Sequence, residues 1–255
     1  MKEGDKDICF FCIFISFIIV YVVYFLIEDN ETSYVAMKTR TIEEDGYSVF
    51  QCSDHNDINN EPSEHLIKIT LDKLPEGYEF MDYSYRIKSS GASMFHRDVT
   101  SSQNIYDTEH PVYTLILYKH DGCLLSLCPG SNFTYPFVYS KIVNINGEAG
   151  TCILFHSDVL HAGCFNQCAQ RNVIQYKIAH RSDFDALTHL DGVNVEETEG
   201  SCENNIYNHL LRKCSYFFEL PINTIFHPFM QKQQEDGFIK DMQKYSSLRF
   251  YNNNI

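Results

Sequence analysis

"VYTLILYKHDGCLLSLCPGS", residues 112–131, holds two short apolar runs, split by Lys-His-Asp-Gly and closed by Pro-Gly-Ser. The first run is rich in β-branched and aromatic side chains, which suit a pleated sheet surface. The Gly, Pro and Asp breaks end the runs as turns end strands. The same signal recurs on both sides. "LIKITLD" (66–72), "YEFMDYSYRIK" (78–88), "FVYSKIVNI" (137–145), "TCILF" (151–155) and "RNVIQYKIAH" (171–180) read as strands, and 34–51 as the first of them. Several short strands without an intervening helical period predict a mainly β sandwich or jelly roll, not a parallel α/β sheet. The polar stretch 51–64 and the acidic stretch 191–205 read as loops. Flanking helices are expected over 206–214 ("IYNHLLRKC") and, in polar sequence, near 229–245.

The chain has 255 residues, enough for one large domain with a sizeable core. It is 44% hydrophobic and 14% aromatic, so disorder is not its default state. A formal charge of -14 and the absence of any long basic run exclude nucleic acid as its main partner.

"ICFFCIFISFIIVYVVYFLI", residues 8–27, carries no charge and a single Ser. As a helix it would be about 30 Å long, the thickness of a bilayer core, with no polar face to point at water. It is longer than a signal-peptide apolar region and lacks a small-residue cleavage site. We therefore read a retained signal anchor. Lys2 and Lys6 precede it, whereas Glu28, Asp29 and Glu31 follow. The positive-inside rule then predicts a cytosolic tail over 1–7 and a lumenal or extracellular domain over 28–255, a single-pass type II arrangement. Two N-glycosylation triplets begin at Asn30 and Asn132. Eight cysteines lie beyond the span; in an oxidising compartment they suggest disulfides, and 105 pairings are possible.

"FHRDVTSSQ", residues 95–103, places His96 and Asp98 two apart, on one face if the segment is extended. Alone this is an ordinary polar loop. "GTCILFHSDVLHAG", 150–163, adds His161 after a short apolar strand, and Arg171 follows ten residues later. Two imidazoles and one carboxylate can form a facial triad on Fe(II), leaving three sites open. Arginine's fixed, always-charged fork can pair with a carboxylate through two hydrogen bonds. His156 competes with His161, and Arg181 with Arg171. Gln175 shares the Arg171 face, and Thr114 or Tyr113 opens a strand near the pocket. His110, His120, His180 and His189 read as surface residues.

The set "FHRDVTSSQ", "VYTLILYKHDGCLLSLCPGS", "GTCILFHSDVLHAG" and "RNVIQYKIAH", spanning about 80–180, resembles the Fe(II)/2-oxoglutarate-dependent dioxygenases, most closely the phytanoyl-CoA dioxygenase-like branch. The resemblance implies a double-stranded β-helix (jelly roll) with its core at about 79–180. It implies His96, Asp98 and His161 as catalytic iron ligands and Arg171 as the partner of the distal carboxylate of 2-oxoglutarate; Gln175, on the Arg171 face, and Thr114 are further candidates for touching that co-substrate. O2 would be the second co-substrate, and a small molecule, a lipid or a polypeptide the hydroxylated substrate. Because Asp98 is present, hydroxylation is expected rather than halogenation. Secretory lysyl and prolyl hydroxylases share the H-x-D and distal His pattern, and a membrane anchor is more usual there. A non-catalytic, membrane-tethered jelly-roll module is the remaining alternative.

Overall fold

In a computed structural model, residues 41–53, 61–88, 94–98, 108–134, 141–164, 171–197 and 206–218 are described, together with Ser16. The chain is mainly β. A short helix α1 (Ile42–Asp45) leads into β1 (Tyr47–Gln51), and helix α2 (Glu64–Leu71) precedes β2 (Tyr78–Lys88). Strands β3 (Tyr113–Tyr118), β4 (Gly122–Leu127), β5 (Val143–Gly147), β6 (Thr151–His156), β7 (His161–Gly163) and β8 (Asn172–His180) follow. A 3-10 segment (Arg181–Leu190), β9 (Val193–Glu197) and helix α3 (Ile206–Phe217) complete the described order.

Two sheets form, one of six strands in the order β1-β6-β3-β8-β2-β9 and one of three in the order β5-β4-β7. All pairings are antiparallel except β2 with β9. The two sheets share one core, in which Ile116, Tyr118, Ile153, Phe155 and Val173 of the large sheet join Leu125, Leu127 and Ile145 of the small one. On the other face of the large sheet, Leu115, Leu117, Leu154, Ile174 and Ile178 pack beneath Ile42 of α1 and Leu66 of α2. The outer side of the small sheet, with Cys128 and Ala162, is joined by Phe95 and by Tyr216 of α3. The large sheet is thus covered on both sides, which explains why β3 is buried at every position and reads as a continuous apolar run. This two-sheet arrangement is the jelly-roll-like one the strand pattern predicts.

Four expectations need correction. Within 34–51 the strand begins only at Tyr47, because Thr41 caps the short helix Ile42–Asp45 ahead of it. "LIKITLD" is not a strand. Ser63 caps a helix, its hydroxyl accepting from the Leu66 N–H at 3.1 Å, and Leu66 and Thr70, four apart, form the buried face. The acidic 191–205 stretch is not all loop, because β9 pairs with β2 and Glu196 meets Lys88 at 2.5 Å and Arg86 at 3.5 Å. His120 is buried, with Nδ1 against the main chain of Asn172; His110 and His180 are half-buried, and His189 is exposed. The helix over 206–214 forms and extends to Phe217.

Cys123 and Cys164 form a disulfide between β4 and the residue after β7. The Asn132 side chain packs onto Gly46 with its Oδ1 buried, an inward setting for a glycosylation acceptor. Among the described residues no helix is long and apolar enough to cross a membrane. The 8–27 span, apart from Ser16, lies outside the described residues, as do Asn30 and the segment near 229–245.

The capped helix has a direct test. Ser63→Ala should lower unfolding free energy in urea titrations by about 1 kcal/mol, the usual worth of an N-cap hydroxyl. A strand over 66–72 would leave the stability unchanged.

Candidate metal centre and carboxylate pocket

His96 and His161 are joined at the backbone. The N–H of His96 donates to the carbonyl of His161 at 2.9 Å, and the N–H of His161 returns to His96 at 3.0 Å. This reciprocal pair adds the H-x-D segment to β7 at the edge of the small sheet. A third bond, from the Asp98 N–H to the Ser157 carbonyl at 2.9 Å, ties the segment to the turn after β6. Helix α3 locks it from outside. The Phe95 N–H donates to Ser215 Oγ at 2.9 Å, and the Arg212 guanidinium lies 4.7 Å from the Phe95 ring centre. Arg212 also donates to the Gly163 carbonyl at 2.7 Å and to Ser126 Oγ at 2.9 Å.

Both imidazoles are oriented the same way. His96 Nδ1 lies 2.9 Å from the Met94 carbonyl and His161 Nδ1 lies 2.9 Å from the Val159 carbonyl. A carbonyl only accepts, so each Nδ1 carries the proton and each Nε2 keeps its lone pair. Both Nε2 atoms stand 3.7 Å from Asp98 Oδ1. Neighbouring ligands around a metal with bonds of about 2.1 Å stand about 3 Å apart, so a small closure of these side chains would suffice. The donor set is two neutral imidazoles and one carboxylate oxygen, all buried, and it fits a divalent transition metal. Burial, with His96 adding to it, holds the His161 imidazole down at about 3, so at neutral pH it is a neutral ligand rather than a cation.

The other Asp98 oxygen is engaged. Oδ2 accepts from Thr114 Oγ1 at 2.5 Å and from Lys177 Nζ at 2.6 Å, and Lys177 also donates to Thr114 at 2.6 Å. Asp98 is 1% exposed and Lys177 0%. Burial alone would push the Asp98 carboxyl up, but the Lys177 ammonium, helped by His161 and His96, outweighs it and holds the group well below the usual carboxylate range. Asp98 is therefore ionised, with only Oδ1 left to face the histidines. Thr114, expected from the sequence beside the co-substrate, stands against the carboxylate ligand. Lys177 was missed, although strand alternation puts it on the Arg171, Val173 and Gln175 face.

Arg171 immediately precedes β8. Its guanidinium lies over Gly163, where a Cβ would stand 2.7–2.9 Å from Nη2, Nη1 and Cζ. Any side chain at 163 would collide with it, so the glycine two residues after His161 makes room for the cation. Gln175 is buried further along the same face, opposite Ile116 and Tyr85. The alternatives fall away from this centre. Arg181 is exposed and pairs with Glu79. His156 Nδ1 accepts from the Asp158 N–H at 3.1 Å, and burial, followed by the Arg97 charge, lowers its pKa to about 4.

His110, His180 and Asp183 also converge, but their chemistry differs. The two rings stack with centres 3.9 Å apart at 23°, and nearly parallel rings cannot both point their lone pairs at one ion. Asp183 accepts from the Glu109 and His110 N–H groups and bonds His110 Nδ1, each at 3.0 Å, and so fastens the segment before β3.

Removing one member of a buried ion pair costs about 3–5 kcal/mol. Lys177→Met should cost that much in urea unfolding of the metal-free protein, and adding Asp98→Asn should restore part of it. Asp98 is depressed in the folded state. Its contribution is thus complete above about pH 4, the unfolded carboxylate range, and disappears as the pH falls below it. Independent, additive losses in the double variant would contradict the pairing.

No protein-family model matches the sequence, and no curated protein matches it. Solved structures resemble part of the fold. EvdMO1 is 15% identical over 56% of this chain and 49% of its own, with a TM-score of 0.41; the chain spans about half of that protein's length. SnoN, a non-heme α-ketoglutarate-dependent epimerase of nogalamycin biosynthesis, is 12% identical over 55% of this chain and 79% of its own, with a TM-score of 0.41. HygX from Streptomyces hygroscopicus, solved with nickel and 2-oxoglutarate bound, is 11% identical over 57% of this chain and 88% of its own, with a TM-score of 0.39.

Proposed function

We propose that the chain is an Fe(II)- and 2-oxoglutarate-dependent dioxygenase that hydroxylates its substrate. The observation that carries this reading is the convergence of His96 Nε2, His161 Nε2 and Asp98 Oδ1, with each Nδ1 committed to a backbone carbonyl. A half-buried guanidinium just before the strand that follows the second histidine suits a dicarboxylate co-substrate. When bound, iron and 2-oxoglutarate supply the activation of O2, with decarboxylation to succinate and CO2 and transfer of one oxygen atom to the substrate.

The chain's own residues do the positioning. His96 and His161 offer neutral nitrogens from a backbone-fixed pair. Thr114 and Lys177 hold Asp98 so that one oxygen faces the centre. Arg171 neutralises the distal carboxylate of 2-oxoglutarate, and Gln175 lines the wall between the two. The sequence motifs favour the phytanoyl-CoA dioxygenase-like branch, with a small-molecule, lipid or polypeptide substrate. We also propose a membrane anchor at 8–27 with the domain in a lumenal or extracellular compartment. The Cys123–Cys164 disulfide supports that placement, since such bonds persist mainly in oxidising compartments.

A second reading, a non-catalytic jelly-roll binding module, draws on Lys177. Its ammonium already balances the Asp98 charge, as a metal would. Metal uptake separates the two. On the enzymatic reading, the wild type forms succinate from 2-oxoglutarate only with Fe(II), His161→Ala abolishes this, and His156→Ala does not. Arg171→Lys keeps the charge but loses the fork, and should weaken 2-oxoglutarate binding by about ten- to hundredfold, about 1.4–3 kcal/mol. A wild-type protein that takes up no Fe(II) or Mn(II) would favour the binding module.

A further inference from the structure

We propose that the charge of Lys177 biases the metal centre toward ferrous iron; this rests on the dioxygenase reading above. Lys177 stands opposite Thr114 across the β3–β8 ladder, and the two side chains converge on one oxygen of Asp98. On its other side Thr114 stands opposite Phe155, whose ring packs against His161 in the apolar core. Lys177 is fully buried there, and its one ion pair among the described residues is with Asp98. Asp98 in turn offers its other oxygen to the two histidines. A single carboxylate therefore stands between the ammonium and the place where the metal binds.

Orienting Asp98 does not require a cation. The Thr114 hydroxyl already donates to Oδ2, and a neutral amide on β8 would supply the second bond. What the lysine adds is charge. In the empty centre that charge offsets the carboxylate. Once a divalent ion is held by two neutral imidazoles and one carboxylate, the centre is already positive, and Lys177 makes it more so. Loss of an electron from the metal adds positive charge again. In a buried, apolar setting like charges are weakly screened, so the ammonium penalises the ferric form more than the ferrous one. The hydrogen bond acts in the same direction, because Lys177 draws on the carboxylate and weakens what its other oxygen can donate. Lys177 is thus a positioning residue that acts through Asp98, not a ligand.

Anaerobic potentiometric titration of the iron-loaded, full-length chain tests this, with each Fe(II) giving one electron to a mediator dye and becoming Fe(III). Lys177→Gln keeps a donor for Oδ2 and loses the charge. Its Fe(III)/Fe(II) ratio at a given potential should be about tenfold higher than in the wild type, a midpoint about 59 mV lower for one electron. Lys177→Met, a second neutral variant, should shift the midpoint the same way. Thr114→Val removes a hydrogen bond to the same oxygen but no charge, and should shift it much less. An equal or higher midpoint in whichever neutral variant loads iron would overturn the proposal, as when the lysine is uncharged in the loaded centre. So would a Thr114→Val shift as large as that of the neutral variants, which marks hydrogen bonding as the cause. Failure of both neutral variants to take up Fe(II) would overturn it as well, because Lys177 would then build the site and not tune it. A wild type that takes up no Fe(II) would instead overturn the functional reading beneath it.

Discussion

Two backbone hydrogen bonds between His96 and His161 set the position of everything else in the centre. They make the histidines cross-strand neighbours at the edge of the small sheet, so the separation of their rings is fixed by β geometry and not by loop conformation. The tilt of 53° between the rings lets both Nε2 lone pairs approach one point. The bond from Asp98 to Ser157 then fixes the third donor relative to the first two. A site held by main-chain bonds loses little entropy when a ligand arrives. Phe95, gripped by Ser215, Arg212 and Tyr216 of α3, extends the same rigidity to the outer side of the small sheet.

The cost of this arrangement is electrostatic. A carboxylate that is almost fully buried must be compensated, and Asp98 is compensated by Lys177 from β8 and by Thr114 from β3. The large sheet therefore supplies the counter-charge and the small-sheet edge supplies the nitrogens. The same alternation carries Arg171 just before β8 and Lys177 within it, with Val173 and Gln175 between. One strand thus spans both halves of the proposed site, the carboxylate pocket and the metal centre. That economy follows from the period-two alternation of a strand buried on both faces.

Much of this was legible in the sequence, for physical reasons. β3, β6 and β8 are central strands buried on both faces, and only long apolar, β-branched runs satisfy that demand. His96, Asp98, His161 and Arg171 stand out because ionisable residues in fixed order beside such strands are costly without a task. The segment 66–72 misled because Ile67, Ile69 and Thr70 favour strands, while the helix is decided by Ser63 at its cap and by Leu66 and Thr70 on one side. β9 was hidden because it is an edge strand whose glutamate is balanced by Arg86 and Lys88 on its neighbour. Lys177 was hidden because a single lysine within a strand carries no local sign of which way it faces or what it pairs with. Its burial depends on Asp98, 79 residues away, and no local pattern carries that pairing.

The central claim is that His96, Asp98 and His161 hold iron in a form that also accepts 2-oxoglutarate. Anaerobic visible absorption spectroscopy addresses it directly, because chelation of Fe(II) by a 2-oxo acid gives a charge-transfer band that neither component gives alone. A band that appears only when Fe(II) and 2-oxoglutarate are both added to the wild-type protein, and not with Asp98→Ala, is the predicted result. A wild-type protein that shows no band at saturating concentrations of both would contradict the account.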